Sequence, residues 1–341
     1  MNRAQFEKIL DSTTICEGMK KDNVQRSVAP LTDALRQLMP ERLFKYRSCC
    51  ENHIKAFCED KVYLATSDLY NDPFDTLIQY DVDAILRIFG FLKNTEVQKA
   101  IAQYIIDGGA IPEEISKIIS EKEKSELRQK AEQIVRNKVY INRETELCNS
   151  DFELAFAFVT VLIPLLIQHL SISACFSESI SSLLMWSHYS DCHKGFALGY
   201  DLTSFLSPNT EGLMIFPVVY NDKKFDATQY IMYLMGHLMQ VPLKNIDTLA
   251  QIKVLLHKAK EWEYEKEWRL MKHNTENVTH EHVKSYVIRP NSIYYGCRIS
   301  NEDMQKLHII AKNKSLQEFK MKLDNAANTY EVSAQIGRAH V

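Results

Sequence analysis

A long block of helical patterning, at residues 82–170, divides the strand-like segments of this chain into two groups. Val97, Ile101 and Ile105 in this block recur at the spacing that places side chains on one face of an α-helix. Segments rich in aromatic and aliphatic residues lie on both sides of the block, at 42–48, 62–65, 173–176, 195–200, 213–220, 268–271, 283–288 and 292–297. This order predicts an α+β fold with a mixed, mainly antiparallel sheet and a large helical insertion.

A single α+β domain at residues 41–313 accounts for this pattern, because large single domains are common at this length. Residues 1–40 are polar with helical spacing, and they predict an N-terminal helical lead-in. Residues 314–341 are expected to form a C-terminal helix and tail. Helices are also predicted at 249–262, from an apolar face, and at 301–313, from a capping sequence.

Composition and charge argue against several classes of function. The formal net charge is -3, so the strongly basic surface of many nucleic-acid-binding proteins is not expected. The 10 glycines form neither a P-loop nor a Rossmann fingerprint, and the 8 cysteines form no C-x-x-C pair. We therefore expect reduced cysteines and no bound metal.

The apolar run at 154–167 is shorter than the roughly 20 residues that a membrane-spanning helix needs. Pro164 lies inside this run, which is typical of a buried and kinked helix. The chain opens with a polar stretch instead of the apolar core of a secretory signal. We therefore expect a cytoplasmic protein with no membrane partner, and the sequence leaves its oligomeric state open.

The first of four polar motifs is Phe44-Lys45-Tyr46-Arg47, within a predicted strand. Alternation along a strand places Lys45 and Arg47 on one face and the two aromatic residues on the other. An arginine at the end of a strand can hold a phosphate or a carboxylate with two hydrogen bonds. The alternative is a salt bridge from Arg47 to a carboxylate of the core.

The second motif surrounds an Asn-Asp-Pro turn at residues 70–75. Asn71 and Asp72 can form this turn alone, because their side chains bond to neighbouring backbone groups. The functional alternative is a loop in which Asn71, Asp72 and Phe74 contact a ligand.

The third motif combines Ser177 with Trp186, His188 and Tyr189, and Lys194 follows it. Trp, His and Tyr side chains close together offer stacking surfaces, a titrating group and a hydroxyl. A single histidine is usually structural, so a site at His188 and a purely structural role both stay open.

The fourth motif, at residues 262–269, contains two glutamates two positions apart. If this segment is extended, Glu265, Glu267 and Arg269 share one face of the strand. Two such carboxylates can serve as a ribose anchor and a general base, with Tyr264 beside them. The alternative is a charged, solvated turn between a helix and a strand.

As a set, these motifs resemble a mostly bacterial family known as domain of unknown function 2971. The resemblance spans residues 42–300. It rests on FKYRS at 44–48, YNDPFD at 70–75, CFSE at 175–178, MWSHYSDCHKGFALGYD at 185–201 and WEYEKEWRL at 262–270. The name of the family implies no activity, so the resemblance leaves the function open.

The order of three polar groups also resembles that of the ADP-ribosyltransferases. That superfamily places an Arg or His on a first strand, a Ser or Tyr on a middle strand and a Glu, often as E-x-E, on a later strand. Arg47, Ser177 and Glu265-Lys266-Glu267 occur in this order. The resemblance implies a split sheet. Two features depart from it, because MWSHY is not a transferase hallmark and the helical block has no counterpart in the compact superfamily core.

This second resemblance implies that the chain uses NAD as a substrate. Arg47 would hold the pyrophosphate, Trp186 or Tyr189 would contact nicotinamide, and Glu267 would stabilise an oxocarbenium-like ribose. The predicted catalytic residues are Glu267, Glu265, His188 and Arg47. The predicted ligand-binding residues are Lys45, Tyr46, Asn71, Asp72, Phe74, Ser177, Trp186, Tyr189, Lys194, Tyr264 and Arg269. The hypothesis is an ADP-ribosyltransferase-like enzyme, a toxin or phage-defence effector that modifies a protein or nucleic-acid acceptor.

Two other hypotheses stay open. One is a nuclease or phosphodiesterase that uses His188 with Arg47, Lys194 and a carboxylate. A metal-dependent version would draw on Asp72, Asp75, Glu265 and Glu267. The other is a non-catalytic module that binds a nucleotide or another small molecule without turnover.

Overall fold

The computed structural model describes residues 1–72, 74–85, 121–137, 167–168, 171–207, 212–238, 247–273, 283–323 and 332–336, apart from 17 and 83, together with 99, 102–103 and 106–107. The predicted helical insertion at 82–170 therefore lies largely outside the described residues, and Glu121–Asn137 is its longest described helix. The apolar run at 154–167 also lies outside them, except for its last residue. Among the described helices, none is both long enough and apolar enough to cross a membrane.

The secondary structure alternates between helices and strands along the chain. The helices are α1 (Arg3–Ser12), α2 (Lys21–Leu38), α3 (Glu51–Cys58), α4 (Glu121–Asn137), α5 (Leu183–Tyr189), α6 (Thr228–Leu238), α7 (Ala250–Val254) and α8 (Asn301–Asn313), with short 3-10 helices at Ser67–Leu69, Thr203–Phe205 and Lys260–Glu265. The strands are β1 (Leu43–Arg47), β2 (Lys61–Ala65), β3 (Ser171–Ser177), β4 (Phe196–Tyr200), β5 (Leu213–Pro217), β6 (Val219–Asn221), β7 (His257–Ala259), β8 (Glu267–His273), β9 (Val283–Val287), β10 (Ser292–Tyr295), β11 (Gln317–Leu323) and β12 (Val332–Ile336).

Within the described residues, ten strands form one sheet with the order β12-β11-β10-β4-β1-β3-β2-β9. β8 pairs with β3 and carries β5 on its other side. β10 and β11 run parallel, whereas the other described pairs of this sheet run antiparallel. This confirms the predicted α+β class and the mixed, mainly antiparallel sheet.

The pairing of β3 explains where the sheet opens. β8 pairs with β3 along its whole length, whereas β1 contacts β3 only where Phe44 lies opposite Ser177. β2 contacts β3 towards the other end of β3, where Ala65 lies opposite Ser173. β1 therefore separates from β3 beyond Phe44, and α3, which connects β1 to β2, lies beside the resulting gap.

Alternate residues of β1 face two apolar clusters. Leu43 belongs to the main core, on the face that α1, α2, α3 and α8 cover. Phe44 and Tyr46 face the other side, where their rings lie 5.3 Å from Tyr294 and 5.0 Å from Trp186. This agrees with the alternation that the sequence predicts, and it leaves the two cations of the strand on the face of Leu43.

Two predicted helices are wrong in the described residues. Of the helix predicted at 249–262, Ala250–Val254 is helical, but His257–Ala259 pairs with β6 as a strand. In place of the C-terminal helix, Gln317–Leu323 and Val332–Ile336 extend the sheet beyond β10. Pairing with an available sheet edge outweighs the local helical preference of these short segments.

The helix predicted at 301–313 is confirmed, and so is its cap. The Ser300 hydroxyl accepts a hydrogen bond from the Asp303 backbone amide at 3.0 Å. This bond satisfies one of the amides that the first turn of a helix leaves without a partner. The cap thus fixes the residue at which α8 begins.

Candidate functional site

A cavity of about 650 Å³ lies in the gap between β1 and β3. This volume is within the range of sites for small molecules and cofactors. β1, β2, β3 and α3 form its walls, and side chains from the loop at residues 70–75 and from the segment at residues 258–267 also line it. Of the residues predicted from the sequence, the cavity is lined by Lys45, Tyr46, Arg47, Asn71, Ser177, Tyr189, Glu265 and Glu267.

Three neighbouring strands bring the predicted polar groups together. Ser177, the last residue of β3, lies opposite Phe44 of β1 and opposite Glu267 of β8. Arg47 lies at the end of β1 and lines the same cavity. Groups separated by 90 residues of sequence or more therefore face one cavity.

The two glutamates converge through a tight turn between a 3-10 helix and β8, and only Glu267 lies in an extended segment. Glu265 ends a 3-10 helix, Lys266 is left-handed with a φ of 45°, and Glu267 begins β8. The left-handed conformation costs a residue with a side chain roughly 1–2 kcal/mol. Backbone hydrogen bonds of 3.1 Å, from Lys266 N to Glu263 O and from Glu178 N to Lys266 O, offset part of this strain.

Glu267 is almost completely buried, and both of its carboxylate oxygens are paired. Arg269 Nε donates to Oε1 at 2.7 Å, and Lys258 Nζ donates to Oε2 at 3.0 Å. Burial by itself would raise the pKa of Glu267, but Arg269 and Lys258 outweigh it and hold the pKa well below its usual range. Glu267 is therefore a fixed negative charge at the end of the cavity.

Glu265 shares Lys258 with Glu267 but has a different second partner. Lys258 Nζ donates to Oε2 at 2.6 Å, and the Tyr189 hydroxyl donates to Oε1 at 2.5 Å. Burial and the charge of Glu267 raise the pKa of Glu265, against the attraction of Lys258. Asn71 Nδ2 in turn donates to the Tyr189 hydroxyl at 2.9 Å. This chain of hydrogen bonds orients the Glu265 carboxyl group and the Tyr189 ring relative to each other.

Arg269 lies behind the two glutamates and does not line the cavity, which corrects its predicted ligand contact. Its Nη2 donates to Asp75 Oδ2 at 2.6 Å, and its Nη1 donates to Leu255 O at 2.6 Å. Because Nε also donates to Glu267, all three nitrogens of the guanidinium group bond to groups within the protein. Arg269 therefore orients the carboxylates and leaves ligand contact to other groups.

The β1 wall of the cavity carries two basic side chains without carboxylate partners. Lys45 Nζ donates to Cys175 O at 2.9 Å, and it lies 4.9 Å from the centre of the Phe176 ring. Burial lowers the pKa of Lys45 to about 7. The Arg47 guanidinium forms no hydrogen bond or ion pair with the residues that the structure describes. The predicted salt bridge to a core carboxylate is therefore not found in this part of the chain.

Ser177 and Tyr46 both stabilise the end of β3. Ser177 Oγ donates to Glu265 O at 2.6 Å and accepts from Ser179 N at 3.2 Å. The Tyr46 hydroxyl donates to Ser179 O at 2.5 Å. These bonds attach β3 to the turn that carries Glu265, so both hydroxyls have a structural role at the margin of the cavity.

A second cavity of about 750 Å³ adjoins the first, and His188 lines this second one. Tyr46, Arg47, His53 and Tyr189 line both cavities. His188 Nδ1 lies 3.0 Å from the Tyr264 hydroxyl, and both side chains reach the surface. The structure therefore places His188 beside the predicted site, but outside the cavity that holds the glutamates.

Five other predicted contacts do not line either cavity, and Tyr264, described above, is one of them. Trp186 is 0% exposed and its Nε1 donates to Ile180 O at 2.7 Å, because α5 turns this side chain into the core. Asp72 Oδ1 accepts from Phe74 N at 2.9 Å, which is the turn-forming role that the sequence left open. Phe74 points to solvent, and Lys194 lies exposed in a turn.

Lys258 is the site residue that the sequence analysis missed. The prediction placed it in a helix, whereas it lies in β7 and pairs with Glu265, Glu267 and, at 3.7 Å, with Asp75. No helical or strand spacing identifies such a residue, because Glu265 and Glu267 reach Lys258 only through the turn at Lys266, and Asp75 comes from a distant loop. The expectation that buried carboxylates need cations was the signal that could have found it.

Comparison with known proteins adds one finding. Residues 185–270 match a family model described as protein of unknown function (DUF2971). This confirms the first resemblance for the part of the chain that carries Tyr189, Lys258 and both glutamates. No curated protein and no solved structure matches the chain, so the comparisons do not support the resemblance to ADP-ribosyltransferases.

Proposed function

We propose that this protein is an ADP-ribosyltransferase-like enzyme that uses NAD as a substrate. The observation that supports this proposal most directly is the arrangement of Arg47, Ser177 and Glu267 on adjacent strands around one cavity. The gap between β1 and β3 also agrees with the split sheet that the resemblance implies. The cavity volume of about 650 Å³ is suitable for a dinucleotide that binds in part outside it.

The charges in the cavity match the parts of NAD. Arg47 and Lys45 on the β1 wall would face the pyrophosphate, because they are basic side chains without carboxylate partners. Of the two aromatic residues predicted to contact nicotinamide, Tyr189 lines the cavity beside Glu265 and Trp186 does not, so Tyr189 would make this contact. This aromatic contact also borders the second cavity, where an acceptor could approach.

The two glutamates would have different tasks in this reaction. Glu267 stays ionised, so it would stabilise the positive charge that develops on the ribose as nicotinamide leaves. Glu265 has a raised pKa and a hydrogen bond to Tyr189, so it would remove the proton from the attacking acceptor or water. The preformed contacts of both groups hold them in place before substrate binds.

The test is incubation of the purified protein with NAD, with and without candidate acceptors, while nicotinamide release is measured by chromatography. We expect Glu267→Gln to reduce the rate about 100-fold or more, because it removes a charge that faces the transition state. Glu318→Gln is the matched control, since Glu318 pairs with His308 at 2.9 Å and does not line the cavity. Equal rates in wild type and Glu267→Gln, or no loss of NAD, would reject the proposal.

A second candidate is a nucleotide-binding module without turnover. The complete pairing of Glu267 with Arg269 and Lys258 favours it, since a carboxylate with both oxygens engaged can be purely structural. A thermal-shift screen separates the two candidates. A nucleotide that raises Tm while NAD stays intact identifies the binding module.

The nuclease alternative has less support from the geometry. His188 lines the second cavity with Arg47, but Lys194 lines neither cavity. Of the carboxylates that a metal ion would need, Asp75, Glu265 and Glu267 are already paired with Lys258 and Arg269. Asp72 instead accepts a hydrogen bond from the Phe74 backbone amide. Degradation of nucleic acid with and without magnesium, compared in wild type and His188→Ala, tests this alternative.

A further inference from the structure

Three lysine side chains are buried in the described residues, and their partners differ. Lys253 Nζ lies 2.8 Å from Asp247 Oδ2, and Lys258 Nζ lies 2.6 Å from Glu265 Oε2. Lys45 has no carboxylate within ion-pair distance among the residues that the structure covers. A buried ammonium group without an anion is costly, so a lysine in this position tends to lose its proton.

The surroundings of Lys45 explain why its charge is not compensated. Its Nζ uses one hydrogen bond, to Cys175 O, in the gap where β3 has no backbone partner from β1. Arg47 lies two residues further on the same face of the strand and adds a second positive charge without an anion. Both side chains line the cavity, so a ligand could supply the missing negative charge to both at once.

We infer that Lys45 is a neutral amine in the empty cleft, and that it takes up a proton from solvent when a diphosphate group binds between it and Arg47. The inference rests on the proposed function only for the choice of a nucleoside diphosphate as ligand. The amine and one proton become an ammonium group, which then forms an ion pair with a phosphate oxygen. The site thus couples the binding of a polyanion to the uptake of one proton.

The charged groups around Lys45 agree with this coupling. Burial and the nearby Arg47 lower the pKa of Lys45 to about 7, while Cys175 and Glu267 act in the opposite direction. His53 of α3 also lines the cavity, and burial lowers the pKa of this histidine, so it stays neutral at pH 8. A bound diphosphate would raise the pKa of Lys45, because an adjacent negative charge favours the charged form.

The sign of the pH dependence follows from these directions. Below about pH 7 the amine of the free protein is already protonated, so affinity for a diphosphate should change little with pH. Above that value each binding event must recruit a proton, so affinity should fall as pH rises, by at most about tenfold per pH unit. Affinity should become constant again above the pKa of the complex.

The experiment is isothermal titration calorimetry with ADP at pH 8, in two buffers with different ionisation enthalpies. Wild type should take up about one proton for each ADP bound, because Lys45 is mainly neutral before binding and charged after it. Lys45→Met should take up none and bind ADP about tenfold more weakly or worse. Lys45→Arg should bind without proton uptake, because arginine is charged in both states. Lys253→Met is the control buried lysine and should keep the uptake of wild type.

Wild-type binding without proton uptake, or uptake that persists in Lys45→Met, would overturn the inference. Absence of binding by both ADP and inorganic pyrophosphate would overturn it as well, since the group that binds between Lys45 and Arg47 is the diphosphate itself. These results are independent of turnover. Proton-linked ADP binding together with stable NAD would leave this inference intact and reject the proposed enzyme, and NAD cleavage without proton-linked binding would do the reverse.

Discussion

The two sides of the cleft differ in whether their buried charged groups have partners of opposite charge. At the closed end, Glu265, Glu267 and Asp75 are paired with Lys258 and Arg269 through contacts of 2.6 to 3.7 Å. On the β1 wall, the basic side chains of Lys45 and Arg47 have no carboxylate partner among the described residues. On the paired side, every charged group has a partner of opposite charge within the protein, although Asp75 Oδ1 has no hydrogen-bond partner among the described residues. On the β1 wall, a ligand must supply the anion.

This difference indicates a division of labour within one site. Buried charges that are fully paired keep a fixed geometry, because removal of one partner leaves the other without compensation. The basic side chains on the opposite wall have no carboxylate partner, so they remain able to bind an anionic ligand. The paired cluster has three carboxylates and two cations, and burial raises the pKa of both Glu265 and Asp75, so one proton can be shared among the carboxylates.

The largest effect should come from removing the shared cation of the paired side. Lys258→Met should lower the free energy of unfolding by about 3–5 kcal/mol, because it leaves buried carboxylates without a partner. Urea denaturation at pH 7 measures this change. The double variant Lys258→Met/Glu265→Gln should recover part of the loss, since it removes one charge of each sign. A loss below about 1 kcal/mol in Lys258→Met would show that the cluster is not a stabilising unit.

The pH dependence of the free energy of unfolding should reflect the protonation of Glu267. Its pKa is lowered in the folded protein from an ordinary value of 4.5, so the unfolded chain binds the proton more readily. The stabilisation is therefore present above about pH 4.5 and is lost as pH falls through the folded pKa, by on the order of 2 kcal/mol. Urea titrations between pH 6 and pH 3 measure the slope. The slope should be smaller in Glu267→Gln, and an unchanged slope would contradict this assignment.

Loss of a single neutral hydrogen bond at the margin should have a smaller effect. Asn71→Ala removes the bond of 2.9 Å to the Tyr189 hydroxyl. We expect the free energy of unfolding to fall by about 1 kcal/mol or less, and any NAD turnover to decrease because Tyr189 is less well oriented. Thermal unfolding and nicotinamide release measure the two effects. An unchanged rate would show that Tyr189 needs no support from Asn71.

The smallest change in stability should come from the cationic wall. Lys45→Met removes an amine with no carboxylate partner, so the free energy of unfolding should stay within about 1 kcal/mol of wild type. The same substitution at Lys258 should be several times more destabilising, which makes the pair a direct test of the comparison. Similar losses in both variants, measured by urea denaturation, would show that the two walls do not differ as described.

Local spacing was sufficient to predict several parts of the molecule. The alternation in Phe44-Lys45-Tyr46-Arg47 separates the two faces of β1, and Ser300 with Asp303 marks the start of α8. These features depend on neighbours within a few residues, and sequence shows such neighbours directly. The motifs also predicted that Arg47 would share a site with the two glutamates. Arg47, Glu265 and Glu267 all line the cavity.

Contacts between distant segments decided the rest. Trp186 and Arg269 carry chemistry that suits a ligand site, but α5 turns one into the core and Asp75 holds the other behind the glutamates. Residues 317–323 became a strand because the edge of β10 was available.

The amino-acid sequence thus specified which polar groups are present and which faces of their strands they occupy. Whether each buried charge has a partner was settled only by the tertiary structure. The reason is physical: the energy of a buried charge depends on groups within a few ångströms of it. For Lys45 and Lys258, those groups come from separate strands and loops, and their approach cannot be read from spacing along the chain.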